Sequence, residues 1–181
     1  MNKEVTTYRK HMNLKLAASE LGVAWQSLYV RLKQLGEPIT GDKMKYGSDR
    51  DRLAAMAEDK FQSLVPFAID KNKLSWQSKY DFDVLGHLVD VKSSMLHQLN
   101  KKHAALSWSF SFKKQSITCD FICCFCLNES RDIEHVLLVP KEFFVGLQTI
   151  SVSRTGSSKW LDYSVDQTEL AAFFSSLGVK K

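Results

Sequence analysis

Apolar residues recur at helical spacing near the front of the chain. Ala17, Ala18 and Leu21 form one stripe, and Val23, Leu28 and Leu32 form another. Gly22 stands between the two stripes, where a turn needs a left-handed backbone. Residues 7–36 therefore read as helices. The pattern lapses over residues 37–47, where Pro38, Gly41 and Gly47 predict a linker. Ser48 with Asp51 three residues on predicts a helix start, and Leu53, Met56, Ala57, Phe61 and Leu64 continue at helical spacing until Pro66.

After Pro66 the pattern shortens. The runs KYDFDVLG, HLVDVKSS, LSWSFSF, TCDFICCFCL and EHVLLVP predict strands. Gly86-His87 marks the turn between the first two, and Asn128-Glu129-Ser130 the turn between the last two. Residues 140–148, opened by Pro140, and 166–177 predict late helices. Strands framed by helices predict an α/β domain over 48–181, preceded by a small all-α module over 1–36. Phe143, Phe144, Phe173 and Phe174 are expected in its core.

Charge sharpens this division. The net charge is +5, and residues 1–52 hold ten Lys/Arg against six Asp/Glu. A basic front module attracts polyanions. The N-terminus has no apolar leader, and no apolar run approaches the roughly 20 residues that cross a bilayer. No membrane partner and a cytoplasmic protein with reduced cysteines are therefore expected. Cys119, Cys123, Cys124 and Cys126 lie in an apolar strand without the second ligand pair that zinc requires, and read as small core residues.

The stretch AASELGVAWQSLYVRLKQLG, residues 17–36, resembles the Fis-type helix-turn-helix. That resemblance implies a second helix lying in the major groove of double-stranded DNA. Trp25, Gln26, Ser27, Tyr29, Arg31 and Lys33 remain for its outer face. Gln26 offers the donor–acceptor pair that matches adenine. Ser27, Tyr29, Arg31 and Lys33 suit phosphates, as do Lys101, Lys102, Lys113 and Lys114 further along.

The stretch YDFDVLGHLVDVKSS carries candidate chemistry. Alternation places Asp90 and Lys92 on one face of a strand, and Asp81 and Asp83 together on the strand before. Two carboxylates and an ammonium facing inward are costly unless paired or metal-bound. This arrangement resembles the PD-(D/E)XK nuclease superfamily, with Asp83 in the first acidic position, Asp90-Val91-Lys92 in the second, and Glu58 as the helix glutamate many members add. Asp81 remains an alternative to Asp83. The resemblance implies a restriction-endonuclease-like core, a mixed central sheet flanked by helices. It also implies Mg2+, or alternatively Mn2+, held by Asp83, Asp90 and Glu58, with Lys92 completing the catalytic set. A sequence-specific endonuclease of restriction or homing type, acting as a homodimer, is expected. Its rivals are a junction-resolving nuclease and a DNA-binding regulator whose nuclease-like domain only dimerises. His87 reads as a solvated turn residue.

Overall fold

A computed structural model describes residues 2–11, 13–37, 39, 48–72, 78–100, 103–112 and 118–180. The expected linker lies almost wholly outside the described residues, as do Lys101, Lys102, Lys113 and Lys114. The chain forms two compact units, one reaching from the N-terminus to Arg52 with Asn72, the other comprising Leu53–Lys71 and Ser78–Lys181.

The first unit packs three helices: α1 (Lys3–His11), α2 (Leu14–Leu21) and α3 (Trp25–Gln34). Asn13 caps α2 by accepting the Leu16 N–H at 2.9 Å. Gly22 ends it at φ 66°, where the Val23 N–H donates to the Ala18 carbonyl and the Gly22 N–H to Ser19. Two otherwise orphaned carbonyls are satisfied this way. Ala17 and Ala18 are buried and small, so α2 and α3 approach closely around Tyr8, Leu28 and Leu32. Full burial of Leu28 and Leu32 stabilises this small core by roughly 2 kcal/mol each. Helix α1 starts earlier than the sequence pattern indicates and contributes Tyr8.

Helix α4 (Asp49–Leu64) begins at the expected capping pair. The Ser48 N–H donates to the Asp51 carboxylate at 2.9 Å and the Asp51 N–H to the Ser48 hydroxyl at 3.2 Å. In the second unit Ala57 and Phe61 are its buried positions, while Met56 is largely exposed.

A five-stranded mixed sheet is the centre of this unit. Its strands are β1 (Ile69–Asp70), β2 (Phe82–Val84), β3 (His87–Met95), β6 (Phe121–Leu127) and β7 (Ile133–Pro140), adjacent in that order. Strand β3 runs parallel to β6, and the other neighbours are antiparallel. The chain between β3 and β6 forms β4 (His97–Asn100) and β5 (His103–Ser111), which join β8 (Thr149–Ser153) in a second, antiparallel sheet. Only the β5 segment of this second sheet is evident in the sequence pattern.

Alternation divides the core in two. Phe82, Val84, Val89, Val91, Cys123, Phe125, Val136 and Leu138 pack with α4 and with α6 (Leu170–Leu177). Ile122, Cys124, Cys126, Leu137 and Val139 face the other way, against Trp108, Phe110, Ile150 and Val152 of the second sheet. One face of the central sheet is thus covered by helices and the other largely by strands, where helices on both faces are expected. Serine and threonine alternate with the large apolar residues of β5 and β8, so one side of that small sheet is apolar enough to do a helix's work.

Two further expectations change. Helix α5 is a single turn, Lys141–Phe144; Val145 is extended and Gly146 turns the chain at φ 86°, so residues 145–148 do not continue it. Phe144 takes the inward position, leaving Phe143 52% exposed against Tyr163 rather than in the core. The helix predicted over 166–177 is a 3-10 turn, Gln167–Glu169, followed by α6. No helix among the described residues is long and apolar enough to cross a membrane.

Candidate functional site

The β2–β3 hairpin turns through Leu85 and Gly86, both at positive φ (54° and 87°), and pairs Val84 with His87. Positive φ at both central residues is the geometry that matches strand twist in a two-residue hairpin. Leucine is an uncommon residue there, and neighbours fix it. The Gly86 N–H donates to the Asp83 carboxylate at 2.9 Å, and the Leu85 carbonyl accepts the Lys180 N–H at 2.9 Å.

This turn sets the register Asp83–Leu88 and Phe82–Val89. One step further, Asp81 lies beside Asp90. The Asp81 N–H donates to the Val89 carbonyl at 3.0 Å, and its carboxylate accepts the Val91 N–H at 2.7 Å. Asp90 and Lys92 share the sheet face of Ile122 and Cys124, their register partners on β6. The Lys92 Nζ lies 2.8 Å from Asp90 Oδ1 and 2.6 Å from Oδ2. Both side chains are mostly buried, at 19% and 32% exposure.

Burial and the neighbouring charges act on this trio together. Burial pushes the Asp90 carboxyl up from its ordinary 3.8 to about 6. The Lys92 ammonium opposes that rise, while the neighbouring Asp81 carboxylate adds to it. For Lys92, burial favours the neutral amine, but Asp90 and Asp81 outweigh it and hold the ammonium above its ordinary range. Two neighbouring carboxylates with one fixed cation form a site that gains from a second positive charge.

The remaining expected members stand elsewhere. Asp83 is on the same sheet face but engages Lys71 at 3.4 Å and caps the turn. Glu58 belongs to α4, whose buried Ala57 and Phe61 cover the opposite face; Phe61 stacks on Phe82 at 4.9 Å. Among the described residues no three or more His, Cys, Asp or Glu side chains gather as a metal cage. Magnesium does not demand one, since it keeps several waters and binds through one or two carboxylates plus substrate phosphate. The oxygen-only Asp81–Asp90 pair fits that mode.

His87 is not a solvated turn residue. It is half-buried, and its Nε2 lies 3.1 Å from the Gly178 carbonyl. The four cysteines are buried and free, with Cys123 on one side of the sheet and Cys124 and Cys126 on the other, as alternation indicates.

In the first unit, Trp25, Gln26, Ser27, Tyr29, Arg31 and Lys33 are all exposed on α3, with Val30 among them. Arg31 reaches Glu4 on α1 at 3.1 Å, and Lys33 lies over the Tyr29 ring, 5.9 Å from its centre. The face is therefore open and carries its cations beside aromatic surface, without burying them. No family model matches this sequence, and no curated protein matches it.

Proposed function

We propose that the chain is a divalent-metal-assisted DNA endonuclease that reads duplex sequence through α3 and cuts at Asp81, Asp90 and Lys92. The observation that carries this reading is the short Asp90–Lys92 ion pair on β3 beside Asp81, whose carboxylate holds the Val91 N–H between them. An acidic residue followed by Asp-x-Lys on the next strand is the pattern that gives the chain its resemblance to PD-(D/E)XK nucleases, with Asp81 rather than Asp83 in first place.

Asp81 and Asp90 would hold the ion. A bound Mg2+ or Mn2+ would acidify a coordinated water and offset charge on the phosphate. Lys92 is placed to orient that water and to stabilise the phosphate as a point charge. Binding energy would come from α3, with Gln26 at base edges and Arg31 and Lys33 at phosphates. Arg31 would exchange Glu4 for a phosphate oxygen. Cutting both strands needs two such sites, which a symmetric homodimer supplies.

The test is incubation of the whole chain with mixed genomic DNA and Mg2+, or Mn2+, followed by sequencing of the ends. A recurrent sequence at the ends is expected. Asp90→Ala and Lys92→Ala should abolish cutting while leaving DNA binding intact. Cutting confined to four-way junctions without sequence preference would favour a junction-resolving enzyme. DNA binding with no cutting in either metal would leave a DNA-binding regulator.

A further inference from the structure

Strand β3 is gripped by a carboxylate at each edge. On one side Asp81 accepts the Val91 N–H. On the other, at the start of β6, Asp120 accepts the Leu88 N–H at 2.9 Å through Oδ2 and returns its own N–H to the Leu88 carbonyl at 2.7 Å. Leu88 is two residues before Asp90, on the same sheet face.

Asp120 is itself held. Its Oδ1 accepts the Lys180 Nζ at 2.6 Å, and its carbonyl accepts the Lys141 N–H at 2.8 Å. Lys180 belongs to a C-terminal segment laid across the hairpin tip. The Lys180 N–H donates to the Leu85 carbonyl, and the Gly178 carbonyl meets His87. Gly86 lies beneath it at φ 87°, a backbone conformation that favours glycine. A Cβ there would lie 3.1 Å from the Lys180 Cβ and 3.3 Å from its carbonyl oxygen. Partial burial would raise the Asp120 carboxyl, but the Leu88 N–H and the Lys180 ammonium outweigh it and hold the carboxyl below its ordinary range.

We propose that Asp120, locked by Lys180, is a positioning residue that fixes where β3 starts and thereby holds Asp90 beside Asp81. This rests on the reading of Asp81, Asp90 and Lys92 as a metal-assisted hydrolytic site. Asp120 touches neither substrate nor metal; it acts through the Leu88 amide on a residue two positions away.

The variants separate its two bonds. Asp120→Ala removes both. Asp120→Asn keeps an acceptor for the Leu88 N–H but loses the charge facing Lys180, and Lys180→Ala loses that same contact from the other side. Calorimetric titration of the whole chain with Mn2+, together with kcat and KM for DNA cutting, reads the result. Asp120→Ala should weaken Mn2+ binding and lower kcat by about 10-fold or more, as outer-shell partners of metal ligands typically do. KM should not change. Asp120→Asn should recover most of the loss and match Lys180→Ala. If Asp120→Ala does not fold, that agreement between Asp120→Asn and Lys180→Ala, each with a smaller loss in Mn2+ affinity at unchanged KM, is the deciding result. Wild-type Mn2+ affinity in all three variants would overturn the positioning role while leaving the hydrolytic site intact. A wild-type chain that neither binds Mn2+ nor cuts DNA would overturn the hydrolytic reading, and this inference with it.

Discussion

Replacing Asp90 by asparagine should stabilise the metal-free protein while destroying its activity. The folded state holds the Asp90 proton with a pKa of about 6, against 3.8 when it is free of the fold. A carboxyl whose pKa is raised by folding contributes its full stability below the unfolded value. That contribution is lost as pH rises through about 6. Above that pH the burial of a second carboxylate beside Asp81 opposes folding by up to about 3 kcal/mol, at about 1.4 kcal/mol per pK unit. Asparagine removes that charge, but it gives up the short Asp90–Lys92 contact and leaves the Lys92 ammonium only the charge of Asp81 to oppose it, which offsets most of the gain, so a net stabilisation of ~1 kcal/mol is expected. For a chain of this size that is a rise in melting temperature of about 2–4 °C. Trp108 is fully buried in the second unit and reports its unfolding by fluorescence. In EDTA at pH 7.5 the variant should melt above wild type, and the difference should shrink toward zero as pH falls to about 4. Adding Mg2+ should raise the wild type and leave the variant unmoved, because only a ligand bound by the native state stabilises it. A variant that melts below wild type in EDTA at pH 7.5 would refute the claim that Asp81 and Asp90 repel each other across a buried site.

The two candidate first ligands can be separated directly. Asp81→Asn should lower cutting by at least about 100-fold, whereas Asp83→Asn should cost about 1 kcal/mol of stability through the turn and leave cutting within a few-fold; single-turnover cleavage and urea melts read the two effects. On the recognition helix, Gln26→Ala should cost ~1–3 kcal/mol in binding and relax preference at one base, while Lys33→Ala should weaken all sequences alike and lower the salt slope by about one; fluorescence anisotropy at several salt concentrations tests both. Gly22→Ala, at φ 66° with open space around it, should destabilise the three-helix unit by ~1 kcal/mol through backbone strain alone, visible in helical circular dichroism on melting.

The three-helix unit was largely legible in the sequence because its signals are local. Gly22 and the paired alanines each act within a few residues of themselves. The hairpin shows where that ends. A turn centred on Gly86-His87 would pair Asp83 with Asp90; the turn centred on Leu85-Gly86 pairs Asp81 with it instead. A one-residue displacement of the turn moves the partner by two, and both aspartates lie on the same face, so alternation cannot detect the difference. Leucine at positive φ hid the true centre, because what holds it there is the distant Lys180. Glu58 depends on a similar non-local choice. Its helix has the expected place in chain order, but which side of the sheet a helix covers is decided by packing, not by periodicity. Strands β4 and β8 are short, and their apolar residues gain meaning only once paired with β5. Asp120 and Lys180, 60 positions apart, carry no local pattern at all.

The four buried thiols give the sheet a built-in reporter. Burial pushes Cys119 and Cys126 up to about 12, and Cys123 and Cys124 higher still. Almost none of their sulfur is thiolate at neutral pH, and only thiolate reacts with alkylating reagents. Cys123 lies under the helices and Cys124 and Cys126 under the second sheet, so these sulfurs meet solvent only when a covering layer lifts from the central sheet. The rate of iodoacetamide uptake is therefore a clock for opening of the core, started by no mutation and requiring no added dye.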